Sequence, residues 1–242
     1  MEDQFSRTEM LIGAEGVDRL ANARIAVFGI GGVGGYAVEA LARSGIGALD
    51  LIDHDTVSVS NINRQILADH STLGKQKTEV ARERIARINP RTAVRTYPVF
   101  YLPEENGANF DFTQYDYIID AIDTVTGKIG LVLQARAAGV PIISAMGAGN
   151  KMDPAAFCVS DIYQTSGCPL AKIMRHELRK RGIERLKVVY SSETPVRMRK
   201  EMAEKEMRQP PGSIAFVPSV VGLIMAGEAV KDIIGFKKET ED

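Results

Sequence analysis

Over the first 145 residues the apolar positions switch repeatedly between two periods. Residues 24–29 (RIAVFG) are a short β-branched run that ends in glycines, the pattern of a buried strand. Residues 33–44 place Val33, Ala37, Ala40 and Leu41 on one helical face, and Gly45 and Gly47 stop that helix. Residues 49–53 (LDLID) predict a second strand. Residues 73–89 predict a charged amphipathic helix with Val80, Ile85 and Ile88 on its apolar side and Pro90 at its end. Further strands are predicted at 93–99, 117–121 and 141–144, with a helix at 128–138. Strands alternating with helices in this way predict an α/β fold, a doubly wound and mostly parallel sheet.

The second half is less regular. Residues 157–162 and 188–190 read as strands, 170–181 as a strongly basic helix, and 219–234 as an apolar stretch at helical spacing that packs back on the domain. Residues 197–212 carry few large apolar anchors besides Met and read as a mobile surface segment. No internal repeat is visible. A length of 242 residues is read as one domain, with 1–150 as its nucleotide-binding half and 151–242 as its irregular, substrate-facing half.

Composition narrows the function classes. A hydrophobic fraction of 45% and a charged fraction of 25% exclude disordered, collagenous and coiled-coil chains. A formal net charge of −1 excludes a polycation built for nucleic acid over its whole surface, but not a local basic patch. Residues 170–187 are such a stretch: seven Lys or Arg side chains stand against two Glu, a local net of +5. Only Cys158 and Cys168 occur, so a disulfide framework and a four-thiolate zinc site are both excluded. Cys158, in an apolar run, is expected in the core. The polar start of the chain shows no export signal, and no apolar stretch reaches the roughly 20 residues of a bilayer span. A cytoplasmic protein without a membrane segment is expected.

The chemistry centres on Gly29-Ile30-Gly31-Gly32-Val33-Gly34, a G-x-G-x-x-G turn after a strand and at the start of a helix. Glycines let backbone N–H groups approach a phosphate closely at the positive end of the helix dipole. Asp53 follows at the end of the second strand, where an acid accepts ribose hydroxyls. NAD is the default ligand of such a motif. The residues from Asp53 to Gln65 argue otherwise, since Asp53, Asp55, Asn61, Arg64 and Gln65 crowd together and Lys75 and Lys77 follow. Cations beside a glycine cradle suit a triphosphate better than a pyrophosphate between two nucleosides.

The series D-x-D-x-V-x-x-S-N-x-x-R-Q, then G-K-x-K, then Asp120-Ala121-Ile122-Asp123, resembles the adenylation domain of the ubiquitin-activating-enzyme superfamily, whose bacterial members are the ThiF, MoeB and HesA proteins. The resemblance implies a Rossmann-like domain that binds ATP and adenylates a carboxylate. It implies nucleotide contacts from Gly29, Gly31, Gly32, Gly34, Asp53, Asp55, Asn61, Arg64, Gln65, Lys77 and Asp123. Among these, Asp53 would hold the ribose, Arg64 the triphosphate, Lys77 the region of the α-phosphate, and Asp123 a magnesium ion. Arg7, within Phe5-Ser6-Arg7-Thr8, matches an arginine that reaches into the partner subunit's site, which implies a homodimer. Asp120 is left as a brace of its loop, Lys75 as a solvated side chain, and His54 and His70 as spacers.

Members that activate ubiquitin-like carriers often bear paired C-x-x-C motifs, and this chain has none. From Gly147 onward, Gly147-Ala148-Gly149-Asn150-Lys151-Met152-Asp153-Pro154, then Cys168-Pro169-Leu170-Ala171-Lys172, Arg175 and Val189-Tyr190-Ser191-Ser192-Glu193 resemble the tRNA threonylcarbamoyladenosine dehydratase branch. That branch cyclises the threonylcarbamoyl group of the adenosine beside the anticodon. The resemblance makes Lys172, Arg175 and Arg179 candidate tRNA contacts; without it, the basic helix reads rather as a solvated face. Cys168 is either an acceptor of sulfur from a cysteine desulfurase or an ordinary small residue, and the second reading is preferred. The alternative activities are adenylation of a ubiquitin-like sulfur carrier and a non-catalytic nucleotide sensor.

Overall fold

The computed structural model describes residues 3–196 and 211–236. Seven strands, β1 (Arg24–Phe28), β2 (Ala48–Ile52), β3 (Ala93–Tyr97), β4 (Tyr117–Asp120), β5 (Ile142–Ala145), β6 (Phe157–Asp161) and β7 (Lys187–Ser191), form one sheet in the order β3-β2-β1-β4-β5-β7-β6. All neighbours pair in parallel except β6 with β7. The expected doubly wound α/β fold is therefore present. Its strand order reverses at β1, which is flanked by β2 and β4. Ligands of such sheets bind beyond the carboxyl ends of the strands at that reversal.

Helices cover both faces, as a parallel sheet requires. α2 (Gly34–Ser44), α3 (Lys77–Ile88) and the C-terminal α6 (Phe216–Ile234) enclose one core, where Leu41, Val80, Ile85 and Val221 meet Val27 and Ile119. α4 (Val125–Ala138) and α5 (Pro169–Lys180) cover the other face over Phe28, Ile118, Val188 and Tyr190. Each fully buried aliphatic side chain contributes roughly 1.5–3 kcal/mol.

The structure differs from the sequence reading at four places. α1 (Ser6–Asn22) has no counterpart in it, because Gly13 breaks the helix at φ +71° and interrupts its periodicity. α3 starts at Lys77 rather than 73, because the preceding turn folds back on residues 56–57. There Gly74 N–H donates to the Val57 carbonyl, and Val57 N–H to that of Lys75, both at 2.9 Å. α4 starts three residues early, at Val125. Cys158 is exposed, not in the core, because β6 is the edge strand of the sheet. The segment 197–212 falls largely outside the described residues.

Glu39 of α2 joins two helices. It accepts from Arg43 one turn on, and from Arg84 of α3 at 2.6 and 3.1 Å. Burial pushes its pKa upward, but the two guanidinium groups outweigh this and hold it below the ordinary glutamate value. A carboxylate whose pKa is depressed by folding stabilises the protein above its unfolded pKa and loses that contribution as pH falls through the folded value. The free energy of unfolding is therefore expected to drop below about pH 4.3. Denaturant titrations across pH 3–6 should show a shallower drop for Glu39→Gln.

Candidate functional site

The carboxyl ends of five strands, β1 to β5, converge on one cavity of about 520 Å³. The turn after β1 gives Gly29, Gly31, Gly32 and Val33 but not Gly34, and the segment after β2 gives Asp53, His54, Asp55, Asn61, Arg64 and Gln65. The loop after β4 gives Asp123, and that after β5 gives Met146 through Gly149. A larger hollow of about 850 Å³ lies at the opposite end of the strands, by Tyr117, Pro141 and Lys187, and holds none of the predicted nucleotide contacts. Topology favours the first cavity, at the carboxyl ends.

The glycine turn is held by close backbone contacts. A Cβ on Gly34 would lie 1.8 Å from the Gly29 carbonyl oxygen, and Gly29 itself has φ +84°. α6 supports the turn from behind: a Cβ on Gly222 would lie 2.1 Å from the Val33 carbonyl oxygen. Asp53 completes it, accepting Ile30 N–H at 2.6 Å through Oδ2 and Asp55 N–H at 2.8 Å through Oδ1. The acid expected on a ribose thus also holds the glycine turn in place.

Lys77 opens α3 and is almost fully buried. Its ammonium lies 2.6 Å from Asp55 Oδ2 and 4.0 Å from Asp53 Oδ1. Asn61 Oδ1 accepts Ser58 N–H at 3.1 Å and caps its own turn. Arg64 Nη1 donates to the Ser60 carbonyl at 2.8 Å and Asn63 Oδ1 at 2.9 Å, so the guanidinium is held in place while Nε and Nη2 are unengaged among the described residues. Gln65 is buried, and its Oε1 has no donor among the described residues.

Asp53, His54 and Asp55 present ligand atoms within 4.8 Å of one another, but both carboxylates are already bonded to backbone N–H or to Lys77. Asp123 is exposed and has no hydrogen-bond or ion-pair partner among the described residues. A glycine cradle, two cations, one free carboxylate and an orphaned buried amide oxygen form a donor set that fits a triphosphate carrying a divalent cation. Lys75 is exposed and outside the cavity, and Asp120 is buried as a brace.

The sequence reading missed the apolar wall: Val99, Phe100, Tyr101 and Ile122 line the cavity, and His54 packs edge-on against Phe100 at 4.7 Å. The signal available was position, since 99–101 follow β3 at the carboxyl edge of the sheet. Arg7 does not line the cavity of its own chain and is exposed on α1.

α5 begins at this cavity, which Leu170 also lines. Lys172 and Arg179 are exposed, and Arg179 lies 5.2 Å over the Tyr163 ring. Arg175 is half-buried; its Nη1 donates to the Thr165 carbonyl at 2.9 Å and to the Thr165 hydroxyl. Lys187 is drawn away by Asp232 at 2.7 Å and Glu228 at 3.3 Å, which reduces the basic surplus counted along the chain. Lys180 and Arg181 share Glu177. Cys168 is buried just before α5, as fits a packing residue. Among the described residues no helix is long and apolar enough to cross a membrane.

The chain resembles known proteins over nearly its whole length. The chain is 44% identical over 244 residues to the tRNA threonylcarbamoyladenosine dehydratase of Bacillus subtilis (strain 168), covering 97% of this chain and 96% of that protein. Crystal structures of the Escherichia coli tRNA N6-threonylcarbamoyladenosine dehydratase in complex with ATP and with AMP match it at a TM-score of 0.86, with 36% and 35% identity. Each match covers 96% of this chain and 94% of that one. The model of the ThiF family matches residues 5–242, and the chain belongs to that family.

Proposed function

We propose that this protein is an ATP-dependent tRNA threonylcarbamoyladenosine dehydratase. The observation that carries the reading is the convergence of Gly29, Gly31, Gly32, Asp53, Arg64, Lys77 and Asp123 on one cavity, in a chain similar over nearly its whole length to a dehydratase of that name. ATP converts the substrate carboxylate into an acyl-adenylate with release of pyrophosphate. The neighbouring carbamoyl oxygen attacks the activated carbonyl within the same molecule, and AMP leaves. Ring closure is intramolecular, so holding the two groups together supplies much of the acceleration.

The protein's part is orientation and charge neutralisation. The glycine turn and Arg64 take the triphosphate, Asp53 the ribose, and Lys77 the α-phosphate. Magnesium at Asp123 would neutralise phosphate charge. Val99, Phe100 and Ile122 offer an apolar wall for the adenine. No step calls for an enzyme thiolate, in keeping with the burial of Cys168. Lys172 and Arg179, exposed on the helix that starts at the cavity, supply phosphate contacts for the tRNA; Arg175 acts chiefly by anchoring the Thr165 loop. Arg7 serves the neighbouring subunit of a cytoplasmic homodimer, the whole chain forming one adenylation unit.

The test is direct. The pure protein is incubated with ATP, magnesium and tRNA bearing threonylcarbamoyladenosine, and the nucleosides are analysed by mass spectrometry. Loss of one water from the modified adenosine, with AMP and pyrophosphate formed, is the expected result. No loss of water overturns the substrate assignment. ATP–pyrophosphate exchange that depends instead on a small protein with a Gly-Gly tail would establish the carrier-activating alternative.

A further inference from the structure

Lys128 is fully buried in the first turns of α4, and none of the chemistry above uses it. An ammonium group in a protein interior is costly unless it is paired and hydrogen-bonded. Its two bonds show what it holds. Nζ donates to Asp120 Oδ1 at 3.0 Å and to the Ile122 carbonyl at 3.0 Å. Asp120 is the last residue of β4, and Ile122 lies in the loop that follows. The Lys128 backbone N–H also donates to the Thr124 carbonyl at 2.9 Å. Both neighbours of Asp123 are therefore fixed by one residue, while the Asp123 carboxylate itself has no partner among the described residues.

The ion pair is not arranged to satisfy Asp120. Among the described residues, Asp120 Oδ2 is buried without a donor, and the hydroxyl of Ser144, its register partner on β5, is buried without a partner. The bond to Ile122 is where the side chain reaches the site. Ala121 and Ile122 press on the phosphate turn: a Cβ on Gly29 would lie 2.7 Å from the Ala121 carbonyl oxygen and 3.0 Å from Ile122 Cγ2. A small shift of this loop would move Asp123 and the glycine turn together.

We propose that Lys128 is a positioning residue: by holding the Ile122 carbonyl, its ammonium fixes the backbone that presents Asp123 to the magnesium–triphosphate. The inference rests on the reading of Asp123 as a magnesium ligand. Groups behind a metal ligand typically change affinity by about 10–100-fold when removed.

The experiment measures ATP affinity by calorimetry, with and without magnesium, alongside the melting temperature of the full chain. The proteins are the unaltered chain, Asp123→Ala, Lys128→Met, and Asp120→Asn combined with Lys128→Met. In the unaltered protein magnesium strengthens ATP binding, and Asp123→Ala abolishes that gain. Lys128→Met lowers the melting temperature, since it leaves Asp120 buried and unpaired, and weakens the magnesium-dependent gain about tenfold. The double variant removes both charges and recovers the melting temperature, but the gain stays weak because the Ile122 carbonyl still lacks its donor. If Lys128→Met does not fold, the double variant alone carries the test. Recovery of the magnesium-dependent gain in the double variant, with Asp123→Ala still deficient, overturns the role of Lys128 alone. A full gain in Asp123→Ala overturns the magnesium reading itself, and the inference with it.

Discussion

Arg64→Ala and Asp123→Ala are each expected to lower the rate of adenylation by about 10²–10³-fold, the cost of removing one group that stabilises developing charge. The melting temperature should stay close to that of the unaltered protein. Among the described residues Arg64 bonds only to Ser60 and Asn63, its near neighbours in sequence, and Asp123 has no partner. Surface substitutions of this kind change stability by about 0.5 kcal/mol or less. ATP–pyrophosphate exchange with modified tRNA, measured beside thermal unfolding, checks both halves. Near-normal exchange in either variant refutes the role given to that residue. A collapse in melting temperature would instead make the residue structural.

Gly34→Ala is expected to abolish ATP binding by a different route. The added methyl carbon would sit 1.8 Å from the Gly29 carbonyl oxygen and 3.3 Å from the Ala121 Cβ. The obstacle is backbone on the opposite side of the same turn, so no side-chain rotation relieves it. Overpacking of this kind costs about 3 kcal/mol or more, and here it must open the phosphate turn. Gly31→Ala supplies the control, because the nearest atom to its added carbon is Gln65 Nε2 at 3.7 Å. Calorimetric titration with ATP should show binding lost in Gly34→Ala, while Gly31→Ala unfolds at the temperature of the unaltered protein. Retained ATP affinity in Gly34→Ala would mean that the turn adjusts and does not depend on that close approach.

Much of this site was readable because its residues lie close together in the chain. The strand–glycine–helix unit and the stretch from Asp53 to Gln65 each keep their chemistry within about a dozen positions. Local spacing decides which side chains meet there. The same is true of the strands, whose β-branched runs are short and continuous because both faces are buried. Reading failed where partners were distant or where glycine masked a period. Gly13 hid α1, and the exposure of Cys158 depended on β6 being outermost. Charge counting overvalued Lys187, since Asp232 and Glu228 lie more than forty positions away.

The residue string by itself determined the α/β class, the glycine turn and the acids, amides and cations around it, because a regular period and a short motif are local properties. Only the tertiary structure decided which of those groups remain free for a ligand. Asp53 and Asp55 are engaged by backbone N–H and Lys77, Arg175 by Thr165, and Lys187 by α6, whereas among the described residues the side chains of Asp123 and Lys172 have no hydrogen-bond or ion-pair partner and Arg179 only stacks on Tyr163. The same structure disclosed that a buried lysine stands behind the loop of Asp123. Hydrogen bonds and ion pairs are made by whatever the fold brings within about 3 Å, and that proximity is a property of packing, not of order along the chain.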